Sequence, residues 1–222
     1  MIEIVSATRL SEDKFHKESA LGLSLQRLSH DSRLVSHIAY NNNRGLPDVF
    51  NERILSRDDH DILIFIHDDV WITDYFIADR VIDGLGTYDV LGVAGNRRRI
   101  QNQKYWLYIG DEWDSRDNLS GSIANGKYPF GGITVFGDTP ADCELMDGVF
   151  LAARKSTLMA NEVLFDPRFD FHFYDLDFCR SATARGLRLG TWPICLTHQS
   201  GGAFDTPAWF EKCNEYIKKW GS

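Results

Sequence analysis

DILIFIHDDV, residues Asp61–Val70, holds the deciding pattern: five consecutive apolar residues, Ile62–Ile66, run straight into His67, Asp68 and Asp69. An unbroken apolar run of strand length is what a strand covered on both faces needs, and such strands belong to parallel sheets with helices on either side. In open α/β sheets ligands bind beyond the carboxyl ends of the strands, so the polar triplet stands where a site is expected. Two adjacent carboxylates repel one another unless a cation lies near them, and hard oxygen donors suit Mg²⁺ or Mn²⁺. The alternative is that Asp68 and Asp69 solvate a turn and cap a helix near Thr73. A hydrolase built on the His67–Asp68 pair is disfavoured, because such enzymes draw these ligands from helices and this pair ends a strand.

Working outward, Ile2–Ala7 reads as a first strand, and Leu21, Leu25 and Leu28 recur at helical spacing behind it. Leu34–Tyr40 reads as a second strand ended by Asn41, Asn42 and Asn43, and Pro47 suits the first turn of a helix reaching about Leu55. After the central strand the pattern predicts a helix over Thr73–Asp83 and a strand over Tyr88–Ala94. This alternation implies an α/β, doubly wound sheet. Periodicity weakens over residues 95–145, which read as an insertion of hairpins and loops. Strand character returns over Met146–Ala153, followed by a short helix from about Ser156. A helix over Asp175–Arg185 is closed by Gly186, a last strand covers Leu187–Leu196, and Thr206 with Pro207 opens a terminal helix carrying Trp209, Cys213, Tyr216 and Trp220 on one side.

The chain has 222 residues, enough for one large domain, and its 43% apolar and 25% charged content is ordinary for soluble globular proteins. Its longest apolar runs are five residues, far short of the ~20 that span a bilayer. The N-terminal MIEIVSATR enters a strand at once without the features of a signal peptide, so a cytoplasmic protein is expected. Cys143, Cys179, Cys195 and Cys213 form no C-x-x-C pair and read as buried thiols. With 24 basic and 32 acidic residues the net charge is 24 − 32 = −8, which disfavours nucleic-acid binding. A compact anionic ligand stays possible where positive charge gathers, as at Arg97, Arg98 and Arg99, or where a metal supplies it.

Two further stretches carry candidate chemistry. FDPRFDFHFYDLDFCRSATARG, residues 165–186, holds Asp166, Asp170, His172, Asp175 and Asp177. Near a helix start Asp175 and Asp177 have a plain electrostatic use, since carboxylates stabilise the positive end of the helix dipole. Either also has the makings of a general base on an incoming hydroxyl. THQSGG, residues 197–202, places His198 at a strand end beside glycines that let backbone approach a ligand. That histidine gains meaning if it converges with Asp69.

HDDV, MDGVFLAARKS, FDFHFYDLDFCRSATARG and THQSGG, in this order and spacing, resemble the GT-A glycosyltransferases, specifically the bacterial family-2-like nucleotide-sugar transferases. The resemblance implies a GT-A fold: a mostly parallel central sheet flanked by helices, with a hairpin insertion, in a single domain. Residues 1–95 would form the nucleotide-binding half and residues 96–222 the sugar- and acceptor-binding half. It implies transfer of a sugar from a UDP-sugar donor to a hydroxyl of an unknown acceptor, with Mn²⁺ or Mg²⁺ bridging the diphosphate. On this reading Ser6, Ala7, Thr8, Arg9, Tyr40, Asn41 and Asn42 hold base and ribose, with Asp68 directed at ribose or metal. Asp69 and His198 are metal ligands, Asp175 is the catalytic base with Asp147 the next candidate, and Gly148, His172 and Arg97 serve sugar and acceptor. Two positions depart from the pattern: His67 replaces the first acid of a D-x-D motif, and Tyr174 stands where many relatives carry Glu.

Two other classes compete. A nucleotidyltransferase would show an early glycine-rich basic loop, and SATRLSEDK, residues 6–14, has no glycine. A nucleotide-binding protein with this fold but no turnover is hinted at by the departures at His67 and Tyr174.

Overall fold

The computed structural model describes residues 1–202 and 204–221. The first half runs β1 (Ile2–Ala7), α1 (Glu12–Glu18), α2 (Ala20–Arg27), β2 (Leu34–Ala39), α3 (Leu46–Ile54), β3 (Ile62–Ile66), β4 (Val70–Ile72), α4 (Ile77–Gly84), β5 (Val90–Gly92) and β6 (Ala94–Asn96). The inserted region follows as β7 (Tyr108–Ile109), β8 (Glu112–Trp113), β9 (Leu119–Asn125), β10 (Gly132–Gly137), β11 (Ala141–Asp142) and β12 (Leu145–Met146). The chain closes with β13 (Phe150–Arg154), α5 (Lys155–Ala160), α6 (Tyr174–Ala184), β14 (Leu189–Thr191), β15 (Leu196–His198) and α7 (Pro207–Trp220).

Seven strands form the main sheet in the order β11-β14-β5-β13-β3-β1-β2. Five of the seven point the same way, while β13 and the edge strand β11 run against them. All five residues of β3 are buried, as its unbroken apolar run requires, and Phe65 packs with Phe50 and Phe165 at ring separations of 4.9 and 5.0 Å. A second, six-stranded sheet has the order β12-β6-β9-β15-β4, with β10 hairpinned onto β9.

The chain passes between the two sheets at several short crossings, four of which set the strand boundaries and the site, in chain order β3 to β4, β5 to β6, β12 to β13 and β14 to β15. The strands expected over Tyr88–Ala94, Met146–Ala153 and Leu187–Leu196 are therefore each two strands in different sheets. Apolar character continues through the crossings because both sheets bury their inner faces, which is why composition alone reads each as one run. At the second crossing Ser122 donates its N–H to the Val93 carbonyl at 3.1 Å. That approach depends on Gly121, at φ +90, where a Cβ would lie 2.0 Å from the Val93 oxygen. The helix expected from Thr73 starts at Ile77 because Thr73 is held to the Cys195 carbonyl by its N–H (3.1 Å) and its hydroxyl (2.9 Å).

The inserted region is tied down by one buried carboxylate. Asp114 accepts hydrogen bonds from Arg98 Nε (2.8 Å), Asn96 Nδ2 (3.0 Å), Asn118 Nδ2 (3.1 Å) and the Ser115 N–H (2.8 Å). The Arg98 guanidinium holds its pKa far below the usual carboxylate range. At the C-terminus Thr206 caps α7 as expected, its hydroxyl accepting from the Trp209 N–H at 3.1 Å. Cys143, Cys179 and Cys213 are buried, whereas Cys195 is exposed. Among the described residues no helix is long and apolar enough to cross a membrane.

Candidate active site

Two of the crossings supply the polar residues. The first, between β3 and β4, consists of His67, Asp68 and Asp69, and the third, between β12 and β13, of Asp147, Gly148 and Val149. They touch each other, the His67 N–H lying 3.4 Å from the Val149 carbonyl. His198 ends β15, which pairs antiparallel with β4 so that His198 lies opposite Val70. That register brings its Nε2 to 3.3 Å from Asp69 Oδ1, and the Gln199 N–H donates to the Asp69 carbonyl at 3.0 Å. Donor atoms of His67, Asp69 and His198 all lie within 4.8 Å of one another.

The electrostatics follow from this packing. Burial works to raise the Asp69 pKa, but the hydrogen bond and charge of His198, with His67 behind it, hold it down to about 2. Burial likewise works to lower His198, and Asp69 more than offsets it, so the imidazole pKa is raised. An imidazole, carboxylate, imidazole set at this spacing fits a divalent cation. It suits Mn²⁺ and its first-row neighbours better than Mg²⁺, which favours an all-oxygen shell. His67 was read from sequence as a weakened metal position; the structure places it with the other two donors. Its one sequence signal was its place directly at the end of the buried strand.

Asp68 belongs to the neighbouring strand ends. Burial raises its pKa, with the Thr8 hydroxyl opposing. The Thr8 N–H bonds the Ala39 carbonyl (2.9 Å), the Asn42 N–H bonds the Thr8 carbonyl (2.8 Å), and the Asn41 N–H bonds the Leu10 carbonyl (2.9 Å). Ser6, Ala7, Thr8, Arg9, Tyr40, Asn41 and Asn42 thus gather with Asp68 at one edge of the sheet. Ser6 and Thr8 are buried, Arg9 and Asn41 are exposed, and among the described residues the Ser6 hydroxyl has no hydrogen-bond partner.

The third crossing meets the start of α6. The Gly148 N–H donates to Asp175 Oδ2 and the Leu176 N–H to Asp175 Oδ1, both at 2.9 Å. Asp147 accepts from the Val149 N–H through Oδ1 and from Trp106 Nε1 through Oδ2, both at 2.8 Å. Burial, followed by the nearby Asp147 charge, pushes the Asp175 pKa up to about 7. No side chain fits in place of Gly148, since a Cβ there would lie 2.3 Å from the Tyr174 hydroxyl and 2.8 Å from the Asp175 Cβ. Helix α6 starts directly after Phe173 at φ +65, a left-handed conformation that costs a bulky residue about 1–3 kcal/mol.

A cavity of about 560 Å³ opens over these groups, lined by His67, Asp147, Gly148, His172, Tyr174, Asp175 and His198. Its far wall is aromatic, with Tyr105, Trp106, Tyr108, Trp113, Phe136 and Trp209. Both carboxylates read as catalytic and two of the three sugar or acceptor residues therefore share one space. Arg97 does not. It is exposed away from the cavity, its N–H on the Asn118 carbonyl at 2.7 Å, and Arg98 is committed to Asp114. The inserted region turns Tyr105, Trp106, Tyr108, Trp113 and Phe136 to the cavity, while its arginines stay off the cavity wall. Among the described residues, Lys104 is the lysine or arginine on the cavity wall.

Asp177, two residues after Asp175, points elsewhere. It is buried under α7, where its Oδ1 accepts from Trp220 Nε1 at 2.6 Å and from Lys219 Nζ at 2.7 Å.

No protein family model matches the chain, and no curated protein matches it. Solved structures do. GalNAc-T7, determined with UDP, GalNAc and Mn²⁺, superposes with a TM-score of 0.55 at 10% identity, over 98% of this chain and 48% of that one. S. aureus TarS gives a TM-score of 0.52 at 12% identity, over 97% of this chain and 38% of that one. The catalytic domain of Drosophila β1,4-galactosyltransferase 7, in complex with xylobiose, gives 0.50 at 10% identity, over 96% and 79%. The chain spans about half the length of the first of these. Likeness at such identity speaks to architecture, and the architecture is the GT-A fold.

Proposed function

We propose that the protein is a metal-dependent glycosyltransferase that moves a sugar from a UDP-sugar to an acceptor hydroxyl. The observation that carries this reading is the approach of Asp69 to His198, at 3.3 Å, with His198 lining a cavity that also holds Asp175. The neighbour solved with UDP, GalNAc and Mn²⁺ supports the same donor and cation.

Residues 1–95 form the nucleotide half, where Ser6 to Arg9, Tyr40 to Asn42 and Asp68 hold base and ribose. Asp69 and His198, joined by His67, hold the cation, for which the donor chemistry favours Mn²⁺ over Mg²⁺. Negative charge developing on the diphosphate as the bond to the anomeric carbon breaks is what a bound cation neutralises. Asp175 takes the proton of the acceptor hydroxyl, and a pKa of about 7 suits a general base near neutral pH. Asp147, held by Trp106 and the Val149 N–H, lies beside it and adds its charge to burial in raising the Asp175 pKa. Gly148 and His172 line the space for sugar and acceptor, and the aromatic wall offers flat apolar faces for sugar rings.

Calorimetry of UDP binding tests the reading. Wild type binds UDP more tightly with Mn²⁺ than with chelator, and Asp69→Asn loses most of that difference. Equal affinity under both conditions in the wild type overturns the metal assignment.

A further inference from the structure

Tyr174 is buried at 3% exposure and takes no part in the roles above, yet its hydroxyl stands between the two groups of the site. It lies 2.8 Å from the Gly148 carbonyl and 2.7 Å from His67 Nε2. The two positions that depart from the glycosyltransferase pattern are thus hydrogen-bonded to each other.

Counting protons fixes the direction of both bonds. A tyrosine at ordinary pH carries one hydroxyl proton, and a carbonyl only accepts. The proton therefore goes to Gly148, since the reverse arrangement would set two oxygens 2.8 Å apart with no hydrogen between them. What His67 Nε2 then meets is a lone pair, so Nε2 carries the imidazole proton. A neutral imidazole has one such proton, which leaves Nδ1 with its lone pair free.

We infer that Tyr174 is a positioning residue that holds His67 in the Nε2–H tautomer and so makes Nδ1 its donor to the cation shared with Asp69 and His198. A metal-binding histidine almost always gives its other N–H to an oxygen acceptor, and here a tyrosine hydroxyl fills that place. The hydroxyl is not free to withdraw. Its ring packs against Phe50 and Phe165, each at 6.0 Å, and Gly148 leaves room for it where any side chain would collide. His67 is steadied on its other side by the stacked ring of Phe171, 6.4 Å away. The same hydroxyl ties the cation donors to the crossing whose Gly148 N–H holds Asp175.

This inference rests on the metal reading proposed above, and the test separates the two. Mn²⁺ alone is titrated into the metal-free wild type, Tyr174→Phe, His67→Asn and His67→Gln, with thermal unfolding as a folding control. Long-range proton–nitrogen NMR reads the His67 tautomer in wild type and Tyr174→Phe. Tyr174→Phe is expected to weaken Mn²⁺ by about 10- to 100-fold and to lose the pure Nε2–H signature. His67→Asn, whose amide reaches only as far as Nδ1, retains more affinity than His67→Gln, whose amide extends toward Nε2. Unchanged Mn²⁺ affinity in Tyr174→Phe, or an Nδ1–H tautomer in the wild type, overturns the inference while the metal site stands. A wild type that binds no Mn²⁺, alone or with UDP, overturns the metal reading itself and this inference with it. If Tyr174→Phe fails to fold, the wild-type tautomer and the order of the two His67 variants decide.

Discussion

Asp175 and Asp177 share the first turn of one helix, yet they serve two regions with opposite demands. On the cavity side, Asp175 accepts backbone N–H groups, has no cation in contact among the described residues, and is left with a pKa of about 7 beside Asp147. On the side covered by α7, Asp177 is sealed in and receives an ammonium and an indole N–H on a single oxygen, with burial still raising its pKa. A carboxylate matched to a cation is a fastener; one deprived of a cation is reactive. The same residue type at the same helix end thus faces a cavity on one side and a cation on the other, and on the proposed function the first serves chemistry and the second cohesion.

The sharpest way to break this comparison is Asp175→Asn. General base catalysis contributes about 10²- to 10⁴-fold, so sugar transfer from a labelled donor should fall by that factor while UDP affinity by calorimetry stays put. A wild-type rate in this variant makes Asp175 a mere helix-start carboxylate and passes the role to Asp147. A loss of UDP binding instead assigns Asp175 to the donor site.

Asp177→Asn should do the reverse. Removing a buried charge from its ammonium partner costs about 1.5–3 kcal/mol, visible as a lower denaturation midpoint, with the transfer rate of the folded protein near wild type. A drop in rate without a drop in stability would erase the distinction between the regions.

A further effect lies in pH. The folded-state pKa of Asp175 is raised from 3.8 to about 7, so the folded state holds its proton more tightly than the unfolded chain. Its stabilising contribution is full below about pH 4 and is lost as pH climbs through about 7. Melting curves from pH 4 to 8 should show wild type losing stability relative to Asp175→Asn across that window, while the wild-type transfer rate rises through pH 7. Parallel melting curves would mean that Asp175 titrates as an ordinary carboxylate.

The first half of the main sheet was legible from sequence because β1, β2 and β3 are five or six residues long, mostly apolar and spaced by amphipathic helices, as Ile62–Ile66 illustrates. The second sheet was not, since its strands are mostly two or three residues long and continue the hydrophobic character of the strands before them. Val70–Ile72 is too short to announce itself beside the DD pair, and β12 merges with β13 unless the turn at Asp147–Gly148 is known. The same difficulty hid part of the site. Asp69 and His198 were readable as strand-end residues, but their contact depends on β15 pairing with β4, a strand that sequence did not reveal. His67 and Tyr174 looked like defects because each was judged alone. Arg97 looked useful because charge shows in a sequence and direction does not.

The bond from Trp106 Nε1 to Asp147 Oδ2 has a consequence for the bench. Indole emission is sensitive to charge and water beside the ring, and Trp106, Trp113 and Trp209, three of the six tryptophans, line the cavity. Filling that space with a sugar displaces water from all three and alters the field at Trp106. The protein therefore carries its own fluorophore for acceptor screening, needing neither label nor turnover, with Trp106→Phe as the variant whose emission should change least when ligand is added.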